Sequence, residues 1–172
     1  MILGILAAMK LVLIRHAAAE DRGSAERDWD RRLTAQGARR MRAAARGLKI
    51  LVPHITHIAA SPTVRTQQTA RIIAETYSFA DVQNLAALAP GSRRSAFLTW
   101  LGRLPADAVL VAVGHEPDLG GLASWLLARC RESFIPLKKG GACLIEFSAK
   151  PVAGSGLLTW FFVPAMLRRL GR

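Results

Sequence analysis

Residues 11 to 22, LVLIRHAAAEDR, set four apolar residues directly before Arg15 and His16. Two strongly solvated side chains at the end of a buried run are costly to place there without a partner. Two later apolar runs end in the same manner: HITHIAA (54–60) leads into Ser61-Pro62 with Arg65 one turn further on, and AVLVAVG (108–114) leads into His115-Glu116. If the three ends converge, Arg15 and Arg65 can each offer paired hydrogen bonds to the oxygens of a phosphate, without a metal. Neighbouring cations disfavour a protonated His16, leaving an imidazole lone pair able to attack phosphorus. His115 on the far side can donate to the equatorial oxygens as they gain charge during transfer. That chemistry is phosphoryl transfer through a covalent histidine intermediate.

Convergence depends on the elements. Strand-length apolar runs alternate with helical patterns, the mark of an α/β layered sheet. The first strand is 11–14, the second 54–60 and the third 108–114. The third is apolar on both faces and therefore central and parallel. In open sheets of this kind ligands bind outside the carboxyl ends of the strands, where all three polar ends would lie. Thr34 can cap a helix that turns Met41, Ala44, Leu48 and Leu51 inward and Arg39, Arg40, Arg42, Arg46 and Lys49 outward to solvent. Ser61-Pro62 predicts a capped helix start running to about Tyr77, whose N-terminal partial charge adds to the anion site. A helix from Asp118, read as its N-cap, to about Arg129 follows the third strand. ACLIEF (142–147) and LLTWFF (157–162), joined by a Pro- and Gly-bearing loop, predict an antiparallel edge hairpin. The expected architecture is a three-layer α/β/α sandwich with a mostly parallel central sheet. Its long loops, 17–32 and 134–140, are candidates for function. His54 and His57 on the second strand read as structural.

The chain has 172 residues, 51% hydrophobic and 21% charged, which fits one domain with a substantial core. A formal charge of +12 favours anionic ligands. It also raises the rival possibility of a basic module for nucleic acid or an anionic membrane face. Against that rival, aromatics make up 6% of the chain without a basic stripe between them, and the tail MLRRLGR is too short for an amphipathic anchor. Cys130 and Cys143 lack zinc spacing and disulfide density, and read as buried thiols in a reducing cytoplasm. The apolar opening MILGILAAMKLVLI is interrupted by Lys10 and is too short to span a bilayer. Met9 is a plausible start, with residues 1–8 a frayed extension. No membrane or nucleic-acid partner is expected.

LVLIRHAAAEDR, RRLTAQG (31–37), SPTVRTQQTA (61–70) and VAVGHEPDLGGLASWL (111–126), in this order, resemble the histidine phosphatase superfamily, and within it the SixA-type phosphohistidine phosphatases. The resemblance implies a compact phosphoglycerate mutase-like fold without cap insertions and a phosphohistidine intermediate on His16. It implies phosphate contacts from Arg15, Arg65 and His115, and no cofactor or metal. Its substrate would be a phosphorylated protein or a small phosphorylated compound. Ala17 stands where the family usually has glycine; a backbone phosphate contact there tolerates one methyl, though not a positive φ. The mutase-like carboxylate donor has no counterpart, since no Asp or Glu occurs from Val82 to Ala106. Glu116 takes the position of the carboxylate acid of another branch and is the first candidate for proton donor, with Glu20 and Asp21 as alternatives. Lys138-Lys139 and Arg93-Arg94 could rim the pocket and guide an acidic protein or polyanion.

Overall fold

The computed structural model describes residues 8–79 and 81–172. Six strands form one sheet: β1 (Met9–Arg15), β2 (His57–Ala60), β3 (Gln83–Asn84), β4 (Val109–Gly114), β5 (Ala142–Phe147) and β6 (Leu157–Phe162), in the order β3-β2-β4-β1-β5-β6. β1, β4, β2 and β3 run parallel, and β5 and β6 add the expected antiparallel hairpin beside β1. β4 lies between two parallel partners, as its doubly apolar sequence predicts. Five helices cover the sheet: α1 (Ala35–Leu51), α2 (Val64–Tyr77), α3 (Arg94–Leu101), α4 (Asp118–Ala128) and α5 (Pro164–Leu170).

The two faces carry separate cores because side chains alternate along β1. Leu11 and Leu13 pack with Phe97 and Leu101 of α3 and Leu119 and Leu122 of α4. Val12 and Ile14 pack with Met41 and Leu48 of α1, Ile73 of α2 and Leu167 of α5. Three layers result, as expected.

Several boundaries differ from the sequence expectations. α2 begins at Val64 with Thr63 before it, so Ser61 and Pro62 precede the helix rather than cap it. Ser61 is drawn instead into the carboxyl end of the β2–β4 pairing, where its N–H donates to Val113 O. β2 begins at His57, which leaves His54 outside the strand. Asp118 is the first residue of α4, and its carboxylate accepts from the Gly91 N–H, 2.9 Å away, tying down a neighbouring turn. Cys143 is buried, but Cys130 is partly exposed. The expected frayed extension falls almost wholly on residues outside those described.

The basic tail also departs from expectation: its residues form α5, with Pro164 at the first helical turn. α5 seats on α1 where glycines allow close backbone approach. A Cβ on Gly47 would lie 1.9 Å from the Leu167 carbonyl oxygen. Gly47→Ala is therefore expected to destabilise the fold by at least about 2 kcal/mol through overpacking against rigid backbone, read as a lowered urea midpoint. Arg46 and Lys49 are likewise more than a solvated face: Arg46 Nε donates to Gly171 O and Lys49 Nζ to Thr76 O, both 2.9 Å. Thr34 behaves as expected, its hydroxyl accepting from the Gly37 N–H at 2.9 Å.

Candidate active site

Adjacent parallel strands place residues at the same register side by side, about 4.8 Å apart. Arg15 pairs with Gly114 and Ala60 with Val113, so the chain leaves β1, β4 and β2 in one row at His16, His115 and Ser61. The His16 N–H donates to Gly114 O and the Ser61 N–H to Val113 O, extending the ladder by one step. The two imidazole centroids consequently lie 5.2 Å apart. Residues about fifty positions apart in sequence become neighbours through strand order alone.

A cavity of about 330 Å³ opens beyond this row, and Arg15, His16, Arg65, His115 and Glu116 all line it. Glu20 and Asp21 line it too, as does Lys139. Ala17 does not. Its N–H donates to Thr69 Oγ1 at 3.2 Å, and it faces the neighbouring groove, so the expected Ala17 phosphate contact is not supported. Its φ is not positive, and the methyl introduces no backbone strain. Arg93 and Arg94 stand apart from the cavity. Arg93 precedes α3, while the Arg94 guanidinium lies against Gly121 of α4, where an added Cβ would be 2.4 Å from Nη2.

Hydrogen bonds fix the state of His16. Its Nδ1 is 2.7 Å from Ala17 O, and because a carbonyl only accepts, Nδ1 carries the proton and Nε2 keeps the lone pair. Burial, then Arg65, Arg15 and Lys139, push its pKa down to about 4 against the opposing Ala17 bond. His115 is lowered to about 3 by burial and then by Arg65 and His16. Its Nε2 meets Ser61 Oγ at 2.8 Å, and its Nδ1 has no protein partner among the described residues. Arg15 donates from Nη1 to Leu137 O at 2.9 Å, and Arg15 Nε and Arg65 Nε are also buried without a protein partner. Each such polar atom costs roughly 1–3 kcal/mol unless an acceptor or donor meets it.

These depressed histidine pKa values have a stability consequence with a definite sign. Between pH 6.5 and about 4 the unfolded chain binds more protons at His16 than the folded one, so stability falls as pH drops through that window. From pH 7 to pH 5 this histidine alone should cost about 2 kcal/mol, measurable by urea unfolding at the two pH values.

Glu116 is half-buried. Burial raises its pKa, opposed by N–H bonds from Leu137 and Gly120 and by the Arg15 charge. Its Oε1 accepts from the Leu137 N–H at 3.0 Å while the Leu137 carbonyl receives Arg15, so the backbone of one residue links the acid to the guanidinium.

Asp28 belongs to the site although nothing in its sequence context marks it. It begins a single 3-10 turn, Asp28–Asp30, in the long loop after His16. Both Arg65 terminal nitrogens bind it, Nη1 at its carbonyl and Nη2 at its carboxylate, 2.9 Å away. Arg31 binds the other carboxylate oxygen at 2.8 Å. Burial works to raise the Asp28 pKa, but Arg65 and Arg31 outweigh it and hold the carboxyl below its ordinary value. Asp28 thus stays ionised and serves as counterion to the buried Arg65. Among the described residues no group of His, Cys, Asp and Glu has the arrangement of a metal site.

Residues 11–89 match the family model described as histidine phosphatase superfamily (branch 1). An uncharacterised protein of Picosynechococcus sp. is 40% identical over 135 residues, covering 77% of this chain and 82% of that one. The chain belongs to the histidine phosphatase superfamily. Within it, the structure of the protein histidine phosphatase SixA complexed with tungstate aligns with a TM-score of 0.81 at 23% identity, over 92% of this chain and 99% of that one. A candidate phosphohistidine phosphatase SixA from Nakamurella multipartitia aligns with a TM-score of 0.73 at 28% identity, over 91% and 96%. The phosphoserine phosphatase of Entamoeba histolytica, solved with 3-phosphoglyceric acid, gives 0.68 at 18% identity, over 92% and 99%. Near-complete coverage of the SixA chains accords with a compact superfamily fold, and membership of the superfamily supports a phosphatase.

Proposed function

We propose that this superfamily member hydrolyses phosphohistidine in a protein, or a comparably activated phosphoryl compound, through a phosphorylated His16. One observation carries the proposal: the His16 imidazole is held neutral, with Nδ1 committed to Ala17 O and Nε2 free, in a cavity that Arg15, Arg65 and His115 also line. The substrate phosphoryl group is held by Arg15 and Arg65, and the Nε2 lone pair attacks phosphorus in line with the leaving group. With the Ser61 hydroxyl donating to His115 Nε2, His115 Nδ1–H is available to the charge growing on the equatorial oxygens. The bond to the leaving nitrogen or oxygen breaks, and that atom takes a proton from Glu116, whose raised pKa suits a donor. Water then attacks the phosphorus on His16 and gives its proton to the Glu116 carboxylate. Inorganic phosphate leaves, and both groups return to their starting states.

Preference for an activated substrate follows from the modest acid. A departing imidazole takes up a proton readily, whereas an alkoxide needs a strong donor. Asp21 and Glu20 line the cavity as well, but the Glu20 carboxylate accepts from the Arg32 N–H at 2.9 Å and braces the loop. A cytoplasmic site of action is part of the proposal, in keeping with two unpaired cysteines. No helix among the described residues is long and apolar enough to cross a membrane. The test compares a phosphohistidine peptide with a simple alkyl phosphate, while trapping phosphoprotein by rapid quenching. Faster turnover of the peptide, with an acid-labile and alkali-stable label on the protein, is expected. Equal rates would refute the substrate preference, and an unlabelled protein during turnover would refute the covalent route.

A further inference from the structure

A second concavity, of about 520 Å³, adjoins the phosphoryl cavity and shares Arg15 and Lys139 with it. Arg40 of α1, Lys138 and Arg168 of α5 complete its cationic lining, which contains no carboxylate. The ion pairs among the described residues are made by Lys10, Arg27, Arg31 and Arg65, so none of the five groove cations forms an ion pair among those residues. Beneath the groove lie Met41 and Ala44, both buried in the core, with half-buried Pro164 at its side. The joint between the two concavities is a fixed turn. The Gly140 N–H donates to Arg15 O and His16 O, and its φ of 78° is one that glycine adopts freely. That turn holds Lys138 and Lys139 at the mouth.

Resting on the phosphatase reading above, we propose that this groove docks an acidic segment of the phosphoprotein substrate, adjacent in its chain to the phosphorylated residue. Charge complementarity sets the sign of the occupant: five unpaired cations around one groove favour carboxylates or phosphates and repel basic partners. Size and continuity select between those. A bare second phosphate would occupy little of a volume of about 520 Å³, whereas a peptide segment continuing from the phosphorylated residue fills the groove and meets its cationic rim along its length. Once the phosphoryl group is seated at His16, the flanking residues pass Lys139 into the groove. Discrimination between phosphoproteins would then lie in the groove, with the cavity reading only the phosphoryl group.

The test uses a double variant, Arg40→Glu with Arg168→Glu, neither residue touching the phosphoryl cavity. Its probes are para-nitrophenyl phosphate and two phosphohistidine peptides that differ only in flanking Asp-Leu repeats or Asn-Leu repeats. The variant should lose at least about tenfold in kcat/KM on the acidic peptide and stay within about twofold on the other two substrates, a loss that high salt should reproduce in the unmodified protein. A uniform loss on all three, or no loss on any, overturns the proposal. So does a loss on a hexane-1,6-diyl bisphosphate without one on the acidic peptide, because the groove then serves small polyanions. Should the double variant fail to fold, Lys138→Glu alone carries the same comparison. If the unmodified protein turns over none of the substrates, the phosphatase reading fails separately. The groove is still decided by fluorescence anisotropy with an unphosphorylated, labelled Asp-Leu peptide. Binding that weakens at least about tenfold on charge reversal sustains it, and no binding to the unmodified protein ends it.

Discussion

Replacing His16 with alanine is expected to lower turnover of para-nitrophenyl phosphate by about four orders of magnitude, the scale on which loss of a covalent nucleophile acts. No other imidazole lone pair in the cavity is placed to substitute. His115 Nε2 faces Ser61 Oγ and Thr63 Oγ1 rather than the phosphoryl position. The acid-labile phosphoprotein should vanish with activity, yet tungstate should still bind, since Arg15, Arg65 and His115 remain. Retained tungstate binding, measured by calorimetry, separates loss of the nucleophile from collapse of the pocket. Residual turnover above about a hundredth of the original would mean that another group attacks phosphorus.

Arg65→Ala has the second largest expected effect, a fall in kcat/KM of about 10²–10³, comparable to removing a preorganised donor from a developing oxyanion. Two consequences add. The phosphoryl group loses a guanidinium that is only 4% exposed and therefore little screened by water. Asp28 also loses one of its two cationic partners while remaining paired with Arg31, leaving a carboxylate beside the cavity that repels incoming phosphate. Arg65→Lys should rescue little, because a single ammonium cannot hold Asp28 and reach phosphate with a planar fork. Tungstate affinity should fall in both variants, and affinity unchanged from the parent protein would remove Arg65 from the anion site. Stability should change less than binding does, because the Asp28 side chain is half-exposed and can be solvated once released.

Much of the site was legible because its markers sit at the ends of apolar strands. Arg15-His16, Arg65 and His115-Glu116 stand out as polar groups against runs such as LVLI and VLVAVG, and strand order brings them to one cavity. Asp28 was not legible. Its partnership with Arg65 crosses 37 residues and depends on where an irregular loop folds back, which no periodicity encodes. Ser61 carries the familiar Ser-Pro cap pattern, but the sheet ladder takes its N–H and the His115 ring meets its hydroxyl. α5 was missed because seven residues carry too little periodicity, and its stability comes from glycine-mediated contact with α1. Arg40 reads as a solvent-facing helix charge and Arg168 as part of a short basic tail, and only the packing of α5 on α1 sets them around one groove.

Alternation of apolar runs with capped amphipathic segments determined, by itself, a layered α/β fold with β4 at its centre, because burying those faces leaves few other arrangements. The placement of Arg-His and Gly-His immediately after such runs likewise singled out the residues proposed to handle phosphate. Tertiary structure decided the proton on His16 Nδ1, the counterion of Arg65, the commitment of the Ala17 N–H to Thr69 and the groove beside the cavity. Those features depend on distances between segments far apart in the chain, and side-chain protonation and pairing respond to such distances steeply, whereas local patterns report only which face of each segment avoids water.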